Sequence, residues 1–253
     1  MDLIIPKTDK KRIVIVGAGF GGLQLAKNLK NLDIQVVLID RNNYHQFQPL
    51  FYQVATSGLE PSAISFPIRK VFQKQENLFF RVADVINIDA EHQKITTSLG
   101  IINFDYLVIA SGAKNNFFGL KNIETFSYPM KSTAESIIIR NKLLQNLEDA
   151  VSTNNDEQRK ALLHAVVIGG GPTGVEVSGA LGEMKNFIVP KEFKELDRNE
   201  VKVTLIEAGT RILPNMSFKA SIKSEVFLND LGVTVLKNAK VIDYDGSTLS
   251  FQN

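Results

Sequence analysis

The chain has 253 residues, no cysteine, three histidines and a formal net charge of +2. Its 44% hydrophobic and 22% charged residues suit a folded protein with a real core. The charge gives no electrostatic case for nucleic acid, and the lack of cysteine excludes disulfides, Cys-ligated iron–sulfur clusters, thiolate zinc and thiol mechanisms within these residues.

No metal site is expected, because His45, His92 and His164 are scattered without ligand spacing. Met1 to Arg12 carries Lys7, Lys10, Lys11 and Arg12 but no signal-peptide core follows, and no run approaches the ~18 apolar residues of a membrane span.

Residues 12–16 form a β-branched run, the pattern of a strand covered on both faces. Gly17-Ala18-Gly19-Phe20-Gly21-Gly22 follows, then a helical pattern from Leu23 to Leu32, then a second strand, 34–40, ending in Asp40. This is a βαβ unit, the context in which Gly-x-Gly-x-x-Gly gains meaning. Gly17 permits the tight turn, Gly19 lets backbone approach a pyrophosphate, and Gly22 lets helix and strand pack closely. Phosphates sit on the unpaired N–H groups at the positive helix end, and Asp40 is placed to accept from ribose hydroxyls.

Segment 42–56 mixes aromatics, amides and Pro49 without a period. It reads equally as the lining of a pocket for a flat ring or as irregular core packing. Ile68 to Phe72 predicts a short helix, and 78–88 and 94–97 predict strands. Residues 104–113 read as a further buried strand ending in Ala110, Ser111 and Gly112, small residues that permit close approach of a ligand. Residues 114–129 read as loop. Ser132 and Glu135 form a capping-box pattern for a helix through Ala150, and 152–158 reads as a turn.

The opening pattern then recurs: strand 165–168, Gly169-Gly170-Gly171-Pro172-Thr173-Gly174, a small-residue helix, and strand 201–207 ending in Glu207. Between helix and strand, Pro190 to Glu200 reads as a charged surface excursion. A helix over 218–231, a strand at 233–236 and a hairpin around Asp245-Gly246 complete the chain. Two such turns, each with its own acidic strand end, imply two bound dinucleotides with electrons passing from one to the other.

Four stretches carry a family resemblance: GAGFGG at 17–22 with Asp40, NYHQFQPLFYQVAT at 43–56, FDYLVIASGAKNNFFG at 104–119, and VVIGGGPTGVEVSGAL at 166–181 with VTLIEAGTRILP at 203–214. PMKSTAESIIIRNKLL at 129–144 adds a fifth. The chain resembles the FAD-dependent pyridine nucleotide oxidoreductases and, within them, the type II NADH dehydrogenases, the non-proton-pumping NADH:quinone oxidoreductases. Ser111 stands where the family usually has Thr. The resemblance implies an α/β fold of glutathione-reductase-like architecture with two Rossmann-like domains. These are an FAD-binding domain at 1–125 and an NADH-binding domain at 126–253.

It further implies that Gly17, Ala18, Gly19, Phe20, Gly21 and Gly22 contact the FAD phosphates. Asp40 and Arg41 would hold the adenosine end, Val85 would meet the adenine, and Ala110, Ser111 and Gly112 would face the flavin. Gly169, Gly171, Pro172, Thr173 and Gly174 would line the NADH path. Glu207 would accept from the NAD ribose and repel a 2′-phosphate, favouring NADH over NADPH. Two readings of Glu176 stand: a catalytic acid near nicotinamide and flavin, or a helix N-terminal acid favoured by the macrodipole. His45 is expected to be structural.

The substrates implied are NADH and a membrane quinone, at the cytoplasmic side of the inner membrane as a peripheral protein; a homodimer is compatible. The family's closing Gly-Asp flavin motif, Gln-rich quinone segment and amphipathic membrane helices do not occur before Asn253. The expectation is therefore an N-terminal portion, with the end of the flavin domain absent and membrane contact made through the absent part. Two alternatives stay open: a flavoprotein reductase with another acceptor such as ferredoxin, and an inactive nucleotide-binding fragment.

Overall fold

Both glycine turns join a strand to a helix. In the computed structural model, which describes residues 2–252, they fall in separate units: Met1–Phe47 with Ser62–Lys114, and Gln48–Pro61 with Asn115–Asn253. The units part at 114/115, eleven residues before the boundary expected from sequence, and residues 48–61 join the second unit.

The first unit starts with β1 (Arg12–Val16), α1 (Phe20–Asn28), β2 (Gln35–Asp40) and β3 (Tyr44–Gln46). The chain then passes through α2 (Phe51–Ala55) of the second unit and returns as β4 (Ser65–Pro67), α3 (Ile68–Val71), β5 (Leu78–Val82), β6 (Val85–Asp89), β7 (Lys94–Thr97), β8 (Gly100–Asn103) and β9 (Tyr106–Ile109). A parallel sheet runs β5-β2-β1-β9, beside an antiparallel sheet β6-β7-β8 and a β3-β4 ribbon. Strand periodicity explains the continuous apolar runs. Ile15, Val36 and Leu38 pack towards Leu23, Ala26, Ile68 and Phe72 on one face, and Val14, Val37 and Ile39 pack with Leu3, Ile95 and Ile102 on the other.

The second unit continues with α4 (Lys121–Phe126), α5 (Thr133–Ser152), α6 (Asp156–Leu162), β10 (His164–Ile168), α7 (Pro172–Glu183), a π-turn at Met184–Ile188 and α8 (Val189–Glu192). β11 (Lys202–Ile206), α9 (Phe218–Asp230), β12 (Val233–Leu236), β13 (Lys240–Tyr244) and β14 (Leu249–Gln252) follow. β10-β11-β12 form a parallel sheet and β13-β14 the hairpin. Leu181 and Leu228 from α7 and α9 close on Val203, Leu205 and Val233. α2 packs against α5 and α7, and its buried side is Phe51, Val54 and Ala55.

Several expectations need correction. α1 begins at Phe20, directly on the turn, because the glycines themselves take helical geometry. Residues 121–126 are helix, not loop, held by the burial of Ile123. The 152–158 turn leads into α6, started by Asn155, whose side chain accepts from the Glu157 and Gln158 N–H groups. Residues 190–200 are not simply surface: Phe193 and Leu196 are buried with Met184 and Val189. Among the described residues no helix is long and apolar enough to cross a membrane.

Candidate functional site

The two turns have nearly the same backbone. Gly17 and Gly169 have φ of +103° and +105°, a region that disfavours a side chain. The N-cap glycines of α1 and α7, Gly19 and Gly171, have φ of −69° and −72°. A Cβ on Gly22 would lie 1.9 Å from the Gly17 carbonyl oxygen, and one on Gly174 would lie 1.9 Å from that of Gly169. The sixth glycine is therefore required by contact between the helix and its own turn, more than by helix–strand packing. In contrast, a Cβ on Gly19, Gly21 or Gly171 would meet nothing within 4 Å. Those positions face open space.

Unpaired backbone donors lie at the same positions. Gly17 and Gly169 spend their N–H groups on the carbonyls of Ile39 and Ile206. Among the described residues the N–H groups of Gly19, Phe20, Gly21 and Gly22 find no acceptor, and neither do those of Gly171, Thr173 and Gly174. Free N–H groups at a helix start, bordered by glycines without side chains, fit a dinucleotide pyrophosphate in both turns.

The second residue of each motif is held through both sides of its peptide. Ala18 N–H donates to Asp40 Oδ2 at 2.7 Å, and Gly170 N–H donates to Glu207 Oε2 at 2.6 Å. Each acid also accepts from the N–H two residues on: Asn42 to Asp40 Oδ1 at 2.8 Å, and Gly209 to Glu207 Oε1 at 2.6 Å. The Ala18 carbonyl takes a hydrogen bond from His45 Nδ1 at 2.9 Å, which requires the proton on that nitrogen. The Gly170 carbonyl takes one from the Leu213 N–H at 2.7 Å. His45 is buried, and Phe20 stands edge-on to both His45 and Phe47. His45 is thus a buried residue hydrogen-bonded to the first turn.

The remaining predicted residues divide by unit. In the first, Ala110 lies against the turn: a Cβ on Gly17 would meet its carbonyl oxygen at 2.3 Å. Ser111 and Gly112 are exposed just beyond β9, with φ of +72° at Gly112. Val85 is half-buried beside the cluster around Ile39. Arg41 is exposed and 3.8 Å from Asp84. In the second unit, Pro172 and Thr173 are exposed at the start of α7. Glu176 is exposed as a residue, yet partial desolvation of its carboxyl raises its pKa above the ordinary 4.5.

Sequence reading missed the bonds from each acid to its turn, the His45 anchor and the Leu213 anchor. The first was findable: aligning the two motif copies puts Asp40 and Glu207 at matching strand ends. The other two depend on loop paths that no local pattern encodes.

A family profile described as pyridine nucleotide-disulphide oxidoreductase matches residues 11–252. The chain belongs to this family. It carries two parallel sheets, and with no cysteine it has no thiol–disulfide chemistry within these residues. It is 34% identical to the type II NADH:quinone oxidoreductase Ndh of Mycobacterium tuberculosis, over 96% of this chain and 54% of that protein. It is 31% identical to the external alternative NADH-ubiquinone oxidoreductase of Yarrowia lipolytica mitochondria, over 95% of this chain and 43% of that one. The solved structure of NDH2 from Plasmodium falciparum in complex with NADH matches with a TM-score of 0.88 and 30% identity, covering 96% of this chain and 51% of the other. The chain spans about half the length of the curated relatives it matches.

Proposed function

We propose that the chain is the two-nucleotide part of a type II NADH:quinone oxidoreductase, with FAD on the first turn and NADH on the second. The observation that carries this reading is the pair of matched turns with free N–H groups and acid-held second residues. It is supported by relatives named as NADH:quinone and NADH-ubiquinone oxidoreductases, and none of the relatives cited favours a ferredoxin acceptor or a non-enzymatic role.

When bound, FAD would accept a hydride from NADH and release two electrons to the quinone. The residues of the chain bind and position. Gly19 to Gly22, with Gly17 and Ala18, seat the flavin pyrophosphate. Asp40 and Arg41 face the adenosine end, Val85 the adenine, and Ala110, Ser111 and Gly112 the flavin. Gly171, Thr173 and Gly174 seat the NADH pyrophosphate on a turn that Gly169 makes possible, with Pro172 beside it.

Glu207 keeps a second lone-pair direction on each oxygen, so it accepts from a ribose hydroxyl while holding Gly170, and its charge opposes a 2′-phosphate. Glu176 lies one turn into α7, where a carboxyl with a raised pKa is suited to hold a proton beside the nicotinamide. Reaction with a membrane quinone implies a peripheral protein at the cytoplasmic face of the inner membrane.

The acceptor is tested by reducing the FAD-loaded chain with NADH in the absence of oxygen and then adding a soluble quinone or a ferredoxin. Rapid flavin reoxidation by quinone alone is expected. Reoxidation by ferredoxin alone would overturn the assignment.

A further inference from the structure

The two turns form a controlled comparison within one chain. First-glycine φ values differ by 2° between +103° and +105°, the N-cap glycines agree to within a few degrees in φ, and both N-caps face open space. Each turn uses the first N–H on a strand carbonyl and the second on an acid. They part at the fourth motif position, the first residue of the helix. There the first turn has Phe20, whose N–H is free, and the second has Pro172, which has none.

Proline at the first helical position costs the helix nothing, since that N–H has no intrahelical acceptor. A pyrophosphate at the turn does lose by it, because hydrogen bonds from backbone N–H to an anion are among the stronger ones. The fifth position offers a partial substitute. Thr173 stands where the first turn has Gly21, and its exposed hydroxyl has no partner among the described residues. That hydroxyl is on an exposed, rotatable side chain, whereas a peptide N–H is fixed in direction before the ligand arrives.

We propose that Pro172 is the residue that makes the second site an exchanging one: it leaves that turn one fixed phosphate donor short of the first, so NADH comes and goes while FAD stays. This inference rests on the assignment of FAD and NADH to the two turns. Pro172 is a specificity and exchange determinant here, not a catalytic residue.

The test measures binding and dissociation without turnover. Pro172→Ala restores the N–H. It is expected to bind NADH about tenfold more tightly, mainly through slower release, with unchanged far-UV circular dichroism. Phe20→Pro removes the corresponding donor from the first turn and is expected to release FAD about tenfold more readily than Phe20→Ala, which loses the same ring but keeps the N–H. Unchanged or weaker NADH binding by Pro172→Ala, with wild type binding normally, would overturn this inference and leave the site assignment standing. Absence of dinucleotide binding by wild type and all variants would overturn both.

Discussion

Asp40 and Glu207 each bridge a glycine turn and the residue two positions further along the chain, and this geometry explains why the turns are shaped before any ligand arrives. An acceptor charge near 2.7 Å fixes the second peptide of the motif, and the sixth glycine lets the helix close on the turn. Gly174→Ala would place a methyl group 1.9 Å from the Gly169 oxygen, and the obstacle is backbone, which cannot swing aside. The expected loss is about 2 kcal/mol or more of stability, together with NADH binding, read by denaturant unfolding and ligand titration.

Glu176 gives a pH-dependent prediction. Its pKa is raised in the folded chain, so the folded state binds the proton more tightly than the unfolded one. The associated stability is whole below about 4.5 and fades as pH rises through the raised value. Glu176→Gln, neutral at every pH, should therefore match wild type in acid and melt higher than wild type at neutral pH. A melting difference of opposite sign, or one independent of pH, would contradict that account. The motif glycines and both acids were legible in the sequence because they are local and occur twice. His45 was legible only as a structural residue, since its target, the Ala18 carbonyl, depends on the path of β3.

At the scale of elements, the long periodic segments were the legible ones. The strands beside both turns fall within a residue or two of their expected limits, because strands of a parallel sheet read as unbroken apolar runs; β1, β2 and β11 bury most of theirs, whereas β10 leaves Val166 and Ile168 exposed. α5 was announced by its cap: Ser132 Oγ accepts from the Glu135 N–H at 3.1 Å, and Glu135 Oε2 in turn takes the Lys131 N–H at 2.6 Å. The glutamate thus reaches one residue further back than in the simple capping box. Ser132→Ala should cost about 1 kcal/mol, seen as a lower thermal midpoint with helix content retained.

α4, α6, β8 and the 189–196 stretch were not legible. They are short, and tertiary burial of a few side chains such as Ile123, Phe193 and Leu196 decides them more than propensity does. Segment 43–56 divides for a similar reason. Tyr44–Gln46 is a strand of the first unit, whereas Phe51–Ala55 is a helix that buries Phe51, Val54 and Ala55 in the second.

For the molecule as a whole, the duplication of a strand–turn–helix–strand pattern was the decisive sequence feature, and the two parallel sheets realise it. Less legible was the division of the chain. The second unit takes residues 48–61 from within the first, a topology that no composition shift marks. The functional account places an electron donor and an electron acceptor on the two turns, and its central claim is that hydride passes between them. The most direct measurement is the absorption spectrum of the FAD-loaded chain mixed with NADH without oxygen. The account predicts rapid bleaching of the oxidised flavin by NADH and far slower bleaching by NADPH. A chain that takes up FAD and NADH yet leaves the flavin oxidised, or one that takes up no FAD at all, would contradict it.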